Sequence, residues 1–94
     1  MSKPVNFGKF LKDKRENMGL SQAAIAEKMG YTTPQFVSNW ERGLAMPPMK
    51  TLKKLAEMYK IPQQELFDIL LQATVHQVKV NLHKKFYGKK SASF

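Results

Sequence analysis

Residues 20–43 read LSQAAIAEKMGYTTPQFVSNWERG, and this stretch decides the fold. Ser21 can cap a first helix, and Gly30 can end it because glycine adopts a left-handed backbone conformation at little cost. Pro34 suits the first turn of a second helix, where no backbone donor is needed, and Gly43 marks its end. The stretch therefore predicts two short helices joined by a glycine turn.

The two predicted helices present different kinds of side chain. The first has Ile25 and Ala26 on its inner face, and the second has Val37 and Trp40 on one face at helical spacing. The other positions of the second helix are mostly polar and lie elsewhere on its surface. This is the arrangement of a helix-turn-helix unit, in which the second helix enters the major groove of double-stranded DNA.

Polar side chains of the second helix are of the types that read bases. Glutamine and asparagine form paired hydrogen bonds with adenine, arginine does so with guanine, and each good pair contributes about 1–3 kcal/mol of discrimination. The alternative is a plain exposed helix face, on which Ser38 in particular could bond only to backbone. We predict base contacts from Thr33, Gln35, Ser38, Asn39 and Arg42.

The sequence on either side predicts three further helices. One spans about residues 6–18 with Asn6 as its cap, one spans about residues 48–60, and one begins near Pro62. Their apolar stripes are expected in a shared core, together with Trp40 and the methionines. The stripes are Phe7, Phe10, Leu11 and Met18; Met49, Leu52, Leu55, Ala56 and Tyr59; and Leu66, Phe67, Ile69 and Leu70.

The sequence beyond Leu71 is open to two interpretations. Val78, Val80 and Leu82 alternate as in a strand. A helical, nearly heptad stripe is also present and is the favoured interpretation, with the fifth helix continuing into an arm. Its members, at spacings of four, three, four and four, are Leu71, Val75, Val78, Leu82 and Phe86. We therefore divide the chain into a helix-turn-helix domain, residues 1–71, and an arm with a basic mobile tail, residues 72–94.

Charge and composition favour a polyanionic partner. Sixteen Lys and Arg against seven Asp and Glu leave a net charge of +9 on 94 residues, enough for one small domain. No acidic residue follows Asp68, whereas five lysines do: Lys79, Lys84, Lys85, Lys89 and Lys90. No apolar run is long enough to span a bilayer, and residues 1–10 lack an apolar signal-peptide core. We expect a soluble, cytoplasmic protein.

Enzyme chemistry finds no support in the residue pattern. The chain has no cysteine, so it has neither a thiol nucleophile nor a zinc-thiolate site. Its serines show no histidine–carboxylate pairing, and a glycine-rich phosphate loop is absent. His76 and His83 could share a helix face, but a metal needs more ligands. We therefore predict no catalytic residues, metal, cofactor or small-molecule ligand.

Many positions in register resemble the Cro/cI-type helix-turn-helix family, also called the XRE family. The resemblance covers about residues 7–70 and implies an all-α, lambda-repressor-like bundle of five helices. The residues that carry it are Arg15, Leu20, Ser21, Gln22, Ile25, Ala26, Gly30, Val37, Ser38, Trp40, Glu41, Arg42, Gly43, Pro47, Leu52, Leu55, Ala56 and Ile61.

This resemblance also implies roles for particular residues. Gln22 matches a glutamine that grips a DNA phosphate and braces the recognition helix. Arg15 and Glu41 match a buried ion pair between the first and third helices. The chain departs from the family spacing by one additional residue between Gly30 and Trp40, within the turn.

Taken together, these features predict a DNA-binding regulator. We expect it to repress transcription as a homodimer on a partly palindromic double-stranded operator, with dimer contacts from the fifth helix and the apolar stripe. Phosphate contacts are expected from Gln22, Lys50 and Lys53. Lys9, Lys12 and Lys54 are further candidates.

Other functions remain open at this stage. One is an adaptor or antitoxin-like module whose arm binds a partner protein; failure to bind random DNA at low salt would favour it. Another is RNA or single-strand binding, with stacking by Tyr31, Phe86 or Tyr87; a preference for single strands would reveal it.

Overall fold

The computed structural model describes residues 6–88, and over this range the chain forms five helices and no strand. The prediction of an all-α helical bundle is confirmed. The part of the predicted tail formed by residues 89–94, which includes Lys89 and Lys90, lies outside the described residues. The helices are α1 (Phe7–Asn17), α2 (Gln22–Met29), α3 (Gln35–Glu41), α4 (Met49–Tyr59) and α5 (Gln63–Tyr87).

Local capping explains where α1 and α2 begin and where α2 ends. The Asn6 side-chain oxygen accepts a hydrogen bond from the Lys9 amide at 2.9 Å, and the Ser21 hydroxyl accepts one from the Ala24 amide at 3.0 Å. Each satisfies an amide that has no partner within its helix. Gly30 ends α2 with φ of 85°, a left-handed conformation that suits glycine.

The core lies where all five helices meet. Close approach of α1 to the end of α3 depends on Gly8, since a Cβ atom there would lie 2.8 Å from the Trp40 carbonyl oxygen. The buried apolar residues are Phe7, Leu11, Ile25, Ala26, Val37, Trp40, Leu52, Leu55, Ala56, Tyr59, Ile61 and Leu66.

Some residues that we expected in the core are exposed. Met18 follows the last residue of α1, so it no longer lies on the apolar face of that helix, and it is exposed. Met49 and Phe67 line the rim of a groove between α4 and α5 and are 61% and 57% exposed. Met46 is exposed in the loop before α4. The prediction that Phe67 and all the methionines are buried was therefore wrong, because helical spacing does not specify how far a neighbouring helix covers a face.

The helix α5 is apolar on two opposite sides. Leu66, Ile69 and Leu70 pack toward the core, whereas Leu71 and Val78 lie on the opposite side and are exposed. Twenty-five residues give it a length of about 37 Å. The helical interpretation of the arm is confirmed, because a helix pairs its backbone internally whereas a strand needs a neighbour.

The boundary that we inferred from the sequence, between residues 71 and 72, falls inside α5. The arm therefore continues the bundle without an intervening loop.

None of the helices formed by residues 6–88 combines the length and the apolar character that crossing a membrane requires.

Candidate nucleic-acid interface

The helix α3 separates a buried face from a polar one. Val37 and Trp40 are 1% and 4% exposed and anchor the helix in the core. Gln35, Asn39 and Arg42 follow each other at spacings of four and three, which places them on one face away from that anchor. Gln35 and Arg42 are exposed, and Asn39 is half-buried. The helix therefore presents a line of three polar side chains outward.

Hydrogen bonds join these three side chains. The Gln35 amide nitrogen donates to the Asn39 side-chain oxygen at 2.9 Å, and an Arg42 guanidinium nitrogen donates to the same oxygen at 3.3 Å. Asn39 is thus the common acceptor of its two neighbours on the face. We call these residues, Gln35, Asn39 and Arg42, the polar triad.

The other two predicted base-contact residues lie beside the triad. Thr33 is exposed in the turn before α3, and its hydroxyl oxygen accepts a hydrogen bond from the backbone N–H of Gln35 at 3.3 Å. Ser38 is half-buried, next to Asn39 on the helix. The structure thus places all five predicted base-contact residues on α3 or on the residues directly before and after it.

Aromatic packing holds the turn between α2 and α3 against α3. The Tyr31 ring lies 4.8 Å from the Phe36 ring and 6.1 Å from the Trp40 ring, measured between centroids. Phe36, which the sequence analysis left out of the site, is 54% exposed. A spacing of four from Trp40 is typical of a core residue. The contact with Tyr31 instead places Phe36 at the edge of the polar face.

A buried ion pair connects α1 to the end of α3. The Arg15 Nε atom lies 2.6 Å from Glu41 Oε2, and Arg15 Nη2 lies 3.0 Å from Glu41 Oε1. The third guanidinium nitrogen donates to the Leu20 carbonyl oxygen at 2.7 Å. The two side chains are 8% and 3% exposed. The hydrogen bond to Glu41 is the main cause that raises the pKa of Arg15 above its ordinary value.

Gln22 belongs to the same network. Its amide nitrogen donates to Glu41 Oε1 at 2.8 Å, so the carboxylate contacts both Arg15 and the first residue of α2. An amide nitrogen carries two hydrogens, and the Glu41 bond uses one of them. The side chain that the resemblance assigns to a DNA phosphate is therefore held in place by the last residue of α3.

The lysines differ in their surroundings. Lys50, Lys53 and Lys54 are all exposed on α4, and Lys53 also lines the groove between α4 and α5. Lys9 pairs with Asp13 on its own helix at 2.9 Å. The helix α4 begins after Pro48 without a side-chain cap, and its first internal bond is from the Leu52 amide to the Pro48 carbonyl. Lys50 therefore lies beside the positive end of a helix dipole.

Comparison with known families agrees with this geometry. The model of the helix-turn-helix family HTH_3 matches residues 11–66, which include α2, α3 and α4 in full. The chain belongs to this Cro/cI-like (XRE) family. It is accordingly a DNA-binding regulator of a family whose members are generally not enzymes. No curated protein and no solved structure matches the chain significantly.

Proposed function

We propose that the protein is a sequence-specific repressor that binds a partly palindromic double-stranded operator as a homodimer. The observation that carries this proposal is the polar triad, which lies outward on a helix whose opposite face is buried. A regulator of this kind acts in the cytoplasm, on prokaryotic or phage DNA. It represses by occupying DNA that the polymerase needs.

In the proposed complex, α3 enters the major groove and the surrounding helices bind the backbone. Thr33, Ser38 and the triad face the base edges. Gln22, Lys50 and Lys53 contact phosphates, which carry no sequence information but determine how α3 is oriented.

The helix α5 supports the proposed homodimer. Within the described residues it packs against α1 and α4, whereas α2 and α3 pack against each other and α3 against α1. Its outer stripe of large apolar residues is therefore on a different part of the molecule from the base-reading face. Exposed members of this outer stripe are Leu71, Val75, Val78, Leu82 and Phe86.

Most positions that flank the outer stripe carry no charge, which favours self-association. Gln72, Thr74 and Asn81 are uncharged, whereas Lys79 and Lys85 place positive charge beside the stripe. In heptad pairing such flanking positions face the partner helix, where like charges would repel. A second copy of α5 can therefore pack on the stripe.

A dimer of this kind places its two copies of α3 in successive turns of the major groove. The centres of the two half-sites should therefore lie about 10–10.5 base pairs apart, or a multiple of that distance.

Selection of binding sites from a random duplex library tests the proposal. We expect enrichment of two related half-sites with inverted symmetry and fixed spacing. Recovery of unrelated sequences would contradict a sequence-specific regulator, and single half-sites without a symmetric mate would contradict the homodimer.

Gln35→Ala provides the matching test on the protein. Loss of a paired contact should weaken binding to the selected site about 5- to 150-fold and leave non-specific affinity nearly unchanged. Gln77→Ala is the matched control, since Gln77 also donates to an asparagine four residues later, on α5. Equal loss on both kinds of DNA would show that Gln35 only contacts the backbone.

The outer stripe also favours a second candidate, an adaptor or antitoxin-like module in which α5 binds another protein. Binding to random duplex DNA across a salt series distinguishes the two functions. Absence of binding at low salt would favour the adaptor, and stronger binding to single strands would favour an RNA or single-strand function.

A further inference from the structure

The polar triad is a connected unit, and its hydrogen-bond pattern restricts what each member can offer to DNA. A side-chain carbonyl oxygen has two acceptor positions. In Asn39 this oxygen accepts from Gln35 at 2.9 Å and from Arg42 at 3.3 Å. Both acceptor positions are therefore used within the protein, and Asn39 has only its amide hydrogens left to donate.

Paired recognition of adenine requires one donor and one acceptor. The adenine edge in the major groove presents N7, which accepts, and the exocyclic amine, which donates. Asn39 cannot supply the acceptor unless one of its two contacts breaks. Gln35 can supply both groups, since its carbonyl oxygen and its second amide hydrogen are not used in the bond to Asn39.

Arg42 keeps the donors that guanine requires. A guanidinium carries five N–H groups, and the contact with Asn39 uses one of them. The remaining donors include a parallel pair that fits the two acceptors of guanine, O6 and N7.

We propose that Asn39 is a positioning residue for base readout, which aims Gln35 at an adenine and Arg42 at a guanine, and does not read an adenine itself. This inference rests on the proposed function and adds a prediction about the half-site. The donor nitrogens of Gln35 and Arg42 lie no more than about 6 Å apart, because both contact one oxygen. Base pairs rise about 3.4 Å each. The adenine and the guanine should therefore lie within two base-pair steps of each other.

The experiment measures binding of each variant to the selected site and to sites changed at one position at a time. Gln35→Ala should lose discrimination at the adenine position alone, and Arg42→Ala at the guanine position alone. Asn39→Ala should lose discrimination at both positions together, by about 2- to 12-fold at each, the cost of leaving two side chains unordered. Loss at a third position, with the adenine and guanine positions unaffected, would overturn the inference.

Two further variants separate positioning from a general structural effect. Asn39→Asp keeps an acceptor oxygen for both neighbours, so its discrimination ratios should match the parent even if its added negative charge weakens all binding. Asn81→Ala removes an asparagine that accepts from a glutamine on α5, and no ratio should change. Failure of the parent protein to select any sequence would contradict the proposed function, whereas selection of a half-site without an adenine and a guanine within two base-pair steps would contradict only this inference.

Discussion

At the scale of single residues, Glu41 connects three parts of the helix-turn-helix unit. Its carboxylate contacts Arg15 of α1 through two bonds and Gln22 of α2 through a third, while its own backbone belongs to α3. Removing two charges from water is costly and is offset only when the hydrogen bonds of both groups are satisfied. The hydrogen bonds of both groups are satisfied in this structure. Loss of either partner therefore leaves an uncompensated buried charge.

Arg15→Ala should therefore destabilise the domain instead of altering its specificity. We expect the free energy of unfolding to fall by roughly 3–5 kcal/mol. Thermal and urea unfolding measure this change. Arg42→Ala, which truncates an exposed arginine, is the control and should melt like the parent. An unchanged cooperative melt of Arg15→Ala would refute the structural role.

Tyr59 makes the stability depend on alkaline pH. Burial is the main cause that raises its pKa above the ordinary value, and the nearby Glu41 carboxylate adds to the effect. An unfolded chain releases the tyrosine proton near pH 10, whereas the folded protein retains it. The contribution of Tyr59 to the free energy of unfolding is thus fully present below about pH 10. Above that pH it decreases by roughly 1.4 kcal/mol per pH unit.

Tyr59→Phe removes this contribution. Unfolding measured from pH 7 to pH 11 should show the parent losing stability more steeply than the variant above about pH 10. The comparison uses the change with pH within each protein, so a constant effect of the substitution cancels. Parallel curves would show that Tyr59 does not govern the alkaline response.

At the scale of elements, α5 serves two surfaces at once. Leu66 and Leu70 attach it to the bundle, and from Leu71 onward apolar side chains are exposed on the other side. Exposed apolar stripes of this kind mark interaction sites. The helix can thus pair with a copy of itself without giving up a contact that the bundle needs.

A charge in the middle of the outer stripe should prevent dimer formation. Val78 is 57% exposed, so Val78→Lys should leave the fold intact, and its melt should match that of Gln77→Lys. Sedimentation should show Val78→Lys as a monomer at concentrations where the parent and Gln77→Lys are dimers, because only Val78 lies on the stripe. A dimer that survives Val78→Lys would place the interface elsewhere.

At the scale of the whole molecule, the charge of +9 favours binding to any DNA, whatever its sequence. Each phosphate that a lysine neutralises releases a counterion, so affinity falls with salt in proportion to the number of such contacts. In the proposed complex the triad should have little influence on this slope, since base contacts release few counterions. Non-specific and specific binding can therefore be altered separately.

Lys50→Ala should lower the slope of log affinity against log salt by about 0.9, the value for one phosphate contact. The loss should be nearly equal on cognate and random duplexes. Lys28→Ala, at the far end of α2 from Gln22, is the control and should keep the parental slope. An unchanged slope in Lys50→Ala would remove Lys50 from the phosphate contacts.

The sequence determined the helices of this protein, because caps and turns act within a few residues. Asn6, Ser21 and Gly30 each act on backbone groups at most four residues away, so their effect can be predicted from neighbours alone. The division of α3 into an anchored and a polar face followed from helical spacing in the same way. These short-range rules also predicted that the five candidate residues would lie on α3 or directly beside its ends.

Tertiary structure alone decided which side chains share a partner and which apolar faces stay open. Glu41 accepts a hydrogen bond from Gln22 because the fold brings the start of α2 beside the end of α3, and no sequence spacing encodes that contact. Met49 and Phe67 are exposed because α4 and α5 leave a groove between them, although their spacing is that of core residues. Burial depends on the position of a neighbouring helix, which is far away in sequence, whereas the period of a helix is a local property.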